Sequence, residues 1–416
     1  MRTFAGAGLI ALTALVGPGA SGPAAAPASP LTAVSPLTAV SPLTAAFSPA
    51  AADELFGISC VSPRACVAVG LDQDALSHRG GPLTEKWNGK AWKYVAMRLP
   101  AGAISGELFG VSCRSAVACV AVGLYLDSSD TGIPLAETWN GRAWRPSRLP
   151  APAGSTGVIL DGVSCATAKS CVAVGQYFTG TGAAPLAEAW NGSRWTTAKP
   201  PVPAGSVVGN LGKVSCPTTA YCVAVGHAAA NAGSSVLADS WNGRTWRRMP
   251  VQPPAPGSAG AARDGVSCTS PGSCVAVGSG TPGSGGPGRT GFAERWNGSR
   301  WTGVSISWPR GTGNSYLVGV SCAAAGNCVA VGYSGAGVTA GSDTGKAAAV
   351  SWKGKTWTVT KVPAPGRGKA SLFSDVSCLP AGSCVAAGQV GPAGSTEGIG
   401  LTGFWTGKAW RLVTAL

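Results

Sequence analysis

Charge is scarce in this chain, and acidic charge scarcest of all. Of 416 residues only 12% are charged, with 17 Asp and Glu against 31 Lys and Arg, a formal net charge of +14. Histidine is nearly absent: His78 and His227 are the whole supply. Two isolated imidazoles give no ligand set for a His-based metal centre or for copper oxidation, and no partner for a nucleophilic Ser or Cys. Asp72-Gln73-Asp74 is too short a fragment for a calcium loop, so neither a metal nor a cofactor is expected. No Gly-rich loop leads into a helix to cradle a phosphate, and no long helix is evident. After the N-terminal apolar stretch, no segment is apolar for long enough to cross a bilayer.

What the chain has in plenty is Gly (62 residues), Pro (31) and repetition. It opens with a basic Arg2, an apolar stretch from about Phe4 to Val16 and small residues at 24–26. This reads as a secretory signal peptide over 1–26. Residues 27–51 contain SPLTAV-type hexapeptides written three times. A Pro every six residues forbids helix and weakens strand, so this segment reads as a semi-extended, disordered tether. The mature protein is expected to be exported and monomeric.

The remainder, 52–416, repeats. The motif GVSC-x5-CVAVG, a Gly/Ser-rich stretch, and PLAExWNG-x2-W recur with first cysteines at Cys60, Cys113, Cys165, Cys216, Cys268, Cys322 and Cys378. A period near 50 residues is a signature of propellers and repeat arrays. Each unit predicts four short strands, here called a to d: GVSC, CVAVG, the run into the first Trp, and the run out of the second. Val67 and Val69 alternate with Ala68 and Gly70, which makes both faces packable, as for a strand sandwiched between neighbouring sheets. Asn88-Gly89 and its equivalents at Asn140, Asn191, Asn242 and Asn297 are hairpin signals. Independent 50-residue domains would have too little core. The expected fold is therefore all-β, a seven-bladed β-propeller of four-stranded blades.

In each unit the two cysteines face each other across the a–b hairpin, close enough for a disulfide. The expected pairs are Cys60–Cys66, Cys113–Cys119, Cys165–Cys171, Cys216–Cys222, Cys268–Cys274, Cys322–Cys328 and Cys378–Cys384, each stabilising its hairpin by roughly 2 kcal/mol. An exported chain meets the oxidising compartment these bonds need. The run Trp190-Asn191-Gly192 through Trp195 to the next CVAVG resembles the kelch order, without the kelch double Gly. SWNGRTW at 240–246 resembles the Asp-box of sialidase-type propellers, with Asn in place of Asp. The Ala/Gly/Pro-rich style is similar to that of secreted propellers of high-GC actinobacteria.

Antiparallel blades put the a–b and c–d turns on one face and the b–c loops and d-to-a connections on the other. The first face is uniform and the second irregular, so a ligand site is expected on the second. Candidates there are Asp161 and Asp264, both four residues before a first cysteine, with Gln176, Tyr177, His227 and Tyr333 just after the CVAVG Gly. They offer carboxylates, hydrogen bonds and aromatic stacking to a polar ligand such as a sugar. A repeated acid two residues before the first Trp (Glu85, Glu137, Glu188, Asp239, Glu294) satisfies a repeated structural demand, a backbone or Arg/Lys partner on strand d. Basic residues recur at the c–d turn: Lys90, Arg142, Arg194, Arg244, Arg300, Lys355 and Lys408. This cationic rim suits an anionic wall polymer, an acidic polysaccharide, an acidic lipid surface or a protein, and not nucleic acid, for which no binding module is present. The expected function is a binding or scaffold module at the cell surface; the alternatives are a polysaccharide hydrolase or lyase using Asp161 or Asp264, and a structural envelope protein.

Overall fold

The computed structural model describes residues 53–73, 80–202, 204–230, 233–251, 261–281, 288–335, 345–393 and 398–414. The signal peptide and tether expected over 1–51, with His78 and parts of the b–c loops, lie outside them. Every regular element among the described residues is a strand. In unit one, strand a is Asp53–Ser62, b is Ala65–Asp72, c is Gly81–Trp87 and d is Trp92–Tyr94, hydrogen-bonded in that order. The same antiparallel meander recurs over 103–146, 157–197, 206–248, 262–304, 314–360 and 369–414.

The seven units form six sheets rather than seven. A single parallel bridge, Ala183 to Val208, fuses units three and four into one eight-stranded sheet. Between units five and six the chain adds a short strand, Ile306–Ser307, alongside strand d of unit six. Trp308, which the repeat does not account for, follows this strand and donates its indole N–H to the Gly291 carbonyl at 3.0 Å.

All seven expected disulfides are present, with Cα separations of 3.9–4.0 Å. The final Gly of CVAVG is not at a turn, as the motif alone suggests, but inside strand b. Strand a carries a β-bulge opposite it in every unit, at Phe56, Phe109, Asp161, Gly212, Asp264, Val318 and Ser374. The bulge presses a strand-a carbonyl onto strand b. A Cβ at Gly70 would lie 1.7 Å from the Glu54 oxygen, and one at Gly175 would lie 2.0 Å from that of Ile159. Only Gly fits beneath the bulge.

The Ser of GVSC clasps one unit to the next. Ser59 Oγ accepts the Cys113 N–H, Ser112 that of Cys165, Ser164 that of Cys216, Ser215 that of Cys268, Ser267 that of Cys322 and Ser321 that of Cys378, all at 2.9–3.0 Å. The succession returns to its start, because Ser377 accepts the Cys60 N–H at 2.9 Å. The same junction adds Ile58 N–H to Asp375 and the Trp92 indole to Thr402. The core lies between units: Val67 and Val69 pack on Leu108 and Val111 of unit two, while Ala68 shares a cluster with Val385 and Ala387 of unit seven. Each fully buried Leu or Val contributes roughly 1.5–3 kcal/mol, so this inter-unit packing outweighs any one clasp.

Candidate functional site

The first face is built by two hairpins per unit. Asn88 Oδ1 accepts the backbone N–H groups of Lys90 and Ala91, and Gly89 takes a φ of +96°, which locks the c–d turn. The Asn-Gly turns of units two to five repeat this cap. The a–b turn lies against it: a Cβ at Gly89 would come within 2.8 Å of the Arg64 side chain. The two turns therefore share a face, as the topology requires. Lys90, Arg142, Arg194, Arg244, Arg300, Lys355 and Lys408 are all exposed there, and the same turns add Arg64, Arg114, Lys169 and Lys353. None of their side chains enters a salt bridge among the described residues; the two ion pairs are Arg248–Asp239 and Arg263–Glu294. No Asp or Glu occurs in any of these turns. The uncompensated positive charge on rigid hairpins makes this a cationic surface.

Past each bulge, strands a come close together. A Cβ at Gly57 would lie 3.2 Å from the Cα of Gly110, one at Gly110 3.1 Å from that of Gly162, and one at Gly162 3.1 Å from that of Lys213; Gly265, Gly319 and Asp375 continue the series. From Gly110 onward these residues line a cavity of about 90 Å³ with Val111, Val163, Val214, Val266 and Val320. That is far below the roughly 300 Å³ where ordinary small-molecule pockets begin, so this waist holds no sugar ring.

Toward the irregular face the strand-a ends carry a polar arc across units one to four. Asn210 Nδ2 donates to Asp161 at 2.8 Å, and Gln73 Nε2 donates to Glu54 at 3.1 Å. Burial raises the Asp161 pKa to about 6, with Asn210 and then Lys213 acting to lower it. Glu107 is raised to about 7 by burial, reinforced by the negative charges of Glu54 and Asp161. Both carboxyls keep some solvent exposure although protein crowds them. His227 sits across the strand pair from Asn210, and burial lowers its pKa. Glu54, Glu107 and Asn210 were not singled out in the sequence. They occupy equivalent strand-a positions, but the repeat offers no consensus residue there to flag them.

Asp264 belongs to a separate cluster. Burial raises its pKa to about 7, opposed by Arg289. Arg289 bonds Ser279 and lies 5.9 Å from the Tyr316 ring, which stacks on Tyr333 at 4.9 Å. Asp161 and Asp264 thus share a bulge position but not an environment. Gln176 faces Ile159 across its strand pair, and Tyr177 packs against the core beside Val158 and Leu160.

The repeated acids are buried, at 0–3% exposure. Among the described residues, only Asp239 of the five has the expected Arg/Lys or backbone partner on strand d. Asp239 does meet Arg248 on strand d, and Glu188 accepts from Thr197 there at 2.8 Å. Glu294, however, pairs at 2.6 Å with Arg263 of strand a, because Arg replaces the Leu found at this position in most units. Glu137 has neither oxygen hydrogen-bonded, and burial raises its pKa to about 8. Glu85 is raised to about 7 by burial first and then by the charge of Asp53. Asp53 is raised to about 7 by burial first and then by Asp72.

No protein-family model and no curated protein matches the chain. Solved structures do. A family PL25 polysaccharide lyase, an ulvan lyase bound to a -[GlcA(1-4)Rha3S]- unit, is 9% identical with a TM-score of 0.54, over 88% of this chain and 97% of that one. The β-propeller domain of the trilobed protease from Pyrococcus furiosus, described as having an open velcro topology, is 10% identical with a TM-score of 0.51, over 87% and 95%. A GH74 xyloglucanase from Xanthomonas campestris is 13% identical with a TM-score of 0.54, over 88% of this chain but about half (55%) of that one. The likeness is one of fold: this is an all-β, disulfide-stapled repeat chain whose structural neighbours are β-propellers.

Proposed function

We propose that the seven units are the blades of one closed propeller, and that this propeller is an exported binding module for anionic polymers, engaged through its cationic face. Closure rests on the return of the Ser–Cys clasp from Ser377 to Cys60, and each blade uses four consecutive strands. Seven disulfides, together with the signal-like N-terminus, support export. The binding reading is carried by one observation: eleven exposed cations on or beside the hairpin turns of one face, with no acid among those turns. A single surface ion pair is worth only about 0–1 kcal/mol, so the affinity comes from many contacts at once and falls with salt. Mature protein incubated with wall fractions and a polysaccharide panel tests it. Retention at low salt that is lost at high salt, without released sugar, supports the module; retention that salt does not change overturns it.

A second reading, a hydrolase or lyase, is favoured by the two carboxyls Glu107 and Asp161 at the strand-a ends of neighbouring units. One carboxyl raised to about 7 and the other to about 6, both chiefly by burial, suit acid and base roles near neutral pH. Sugar release from the panel that Glu107→Gln and Asp161→Asn abolish would establish this reading; a panel without product rejects it.

A further inference from the structure

The cationic face is not uniform, and its asymmetry follows from one position, two residues before the second cysteine of each unit. In units one to six that residue sits over the glycine of the c–d turn. It is Arg64 in unit one, Val117 in two, Lys169 in three, Ala220 in four, and Gly272, Gly326 and Gly382 in the last three. A Cβ at Gly89 would lie 2.8 Å from Arg64 Cγ, and one at Gly192 would lie 2.9 Å from Lys169 Cβ. In units one and three, therefore, the stem of a cation is laid across a turn that carries a second cation, Lys90 or Arg194. Packing against the turn removes part of the side-chain entropy that binding would otherwise cost. Unit two, between them, contributes Arg114 and Arg142, with Val117 59% exposed over its turn.

We infer that units one to three form the binding arc of this face. Its twin-cation sites, Arg64 with Lys90 and Lys169 with Arg194, take tetrahedral oxyanions, phosphate or sulfate groups, borne on a linear polymer. This inference rests on the polyanion-binding reading above. The chemistry follows from the approach of the two cations. They come from different hairpins, so they meet an anion from two directions. A carboxylate has two oxygens in one plane and is satisfied by one guanidinium fork, whereas a tetrahedral oxyanion presents charged oxygens to both. The exposed Val117 between the twin sites gives the uncharged stretch of such a polymer an apolar step to cross.

The test uses the full chain and two variants with equal charge removed. One carries R64Q, K90Q, K169Q and R194Q; the other carries R244Q, R300Q, K355Q and K408Q. All eight residues are exposed, and unchanged melting temperatures confirm folding. Binding is measured to polyphosphate, dextran sulfate, polygalacturonate and phosphatidylglycerol vesicles. The expected result is a loss of about tenfold or more for polyphosphate and dextran sulfate in the first variant and less than about threefold in the second, with polygalacturonate bound more weakly by the parent. Polyphosphate bound and dextran sulfate not, or the reverse, identifies which oxyanion, phosphate or sulfate, is the ligand. Equal losses in both variants overturn the arc while leaving the cationic face in place. Polygalacturonate bound as well as these oxyanions overturns the ligand class, and binding to vesicles alone overturns the polymer. No loss in either variant overturns the binding reading itself.

Discussion

Replacing Ser377 with Ala removes the hydroxyl that accepts the Cys60 N–H, where the last unit meets the first. A neutral hydrogen bond contributes about 0.5–1.5 kcal/mol, and stranding a partly buried N–H raises the loss to about 1–3 kcal/mol. Ser164→Ala breaks the equivalent bond to Cys216 in the interior of the repeat. With roughly 2.1 cal/mol/K of unfolding entropy per residue over about 360 residues, each kcal/mol moves the thermal midpoint by about 1.3 °C. Both variants should therefore melt about 1–4 °C below the parent in calorimetry, and by the same amount. Equality is the telling result, since a closed ring gives the Ser377 clasp the same surroundings as the Ser164 clasp. If Ser164→Ala is destabilised and Ser377→Ala melts with the parent, units seven and one do not meet in solution, and the reasoning for a closed ring fails.

Two further outcomes follow from the interior. Glu137 has its folded pKa raised to about 8 from an ordinary 4.5, so the unfolded chain releases a proton that the folded chain keeps between those values. Stability is full below about pH 4.5 and falls as pH rises toward 8; Glu107, Glu188 and Asp53, each raised to about 7, act in the same direction. Melting temperatures should thus decline from pH 5 to pH 8, and Glu137→Gln should flatten the decline; a parent whose stability rises over that range contradicts the assignment. Gly175→Ala places a Cβ 2.0 Å from the Ile159 oxygen and cannot be absorbed without moving the bulge. It should cost about 1–3 kcal/mol or more in a denaturant titration, and a neutral result would show that the bulge is not there.

Much of this architecture was legible because the repeat writes it seven times. The Cys spacing gave the hairpin staples, and Asn-Gly gave the c–d turns. The Val67/Ala68/Val69 alternation gave a strand packed on both faces. Other features were present but unread. Ser59 and its six equivalents are a repeated polar residue in an apolar strand, and their partner lies a whole unit away in sequence, where local patterning does not reach. The bulge was hidden for the same kind of reason: the Gly of CVAVG reads locally as a strand end, while its cause is a carbonyl of the neighbouring strand. At the site, the sequence supplied Asp161 but paired it with Asp264. The residues that act on its carboxyl are Asn210 and Lys213, from the adjoining unit, and no spacing within one unit reveals them.

The central claim is that the protein works through its cationic face. Covalent labelling of lysines with and without saturating polyanion, read by mass spectrometry, tests it most directly. Lys90, Lys169, Lys355 and Lys408 are exposed on that face, whereas Lys199, Lys346 and Lys369 are exposed toward the irregular one. The account predicts that the polymer protects Lys90 and Lys169 most, Lys355 and Lys408 less, and Lys199, Lys346 and Lys369 not at all. Protection of the last three with Lys90 and Lys169 still reactive would contradict it and put the ligand on the opposite face.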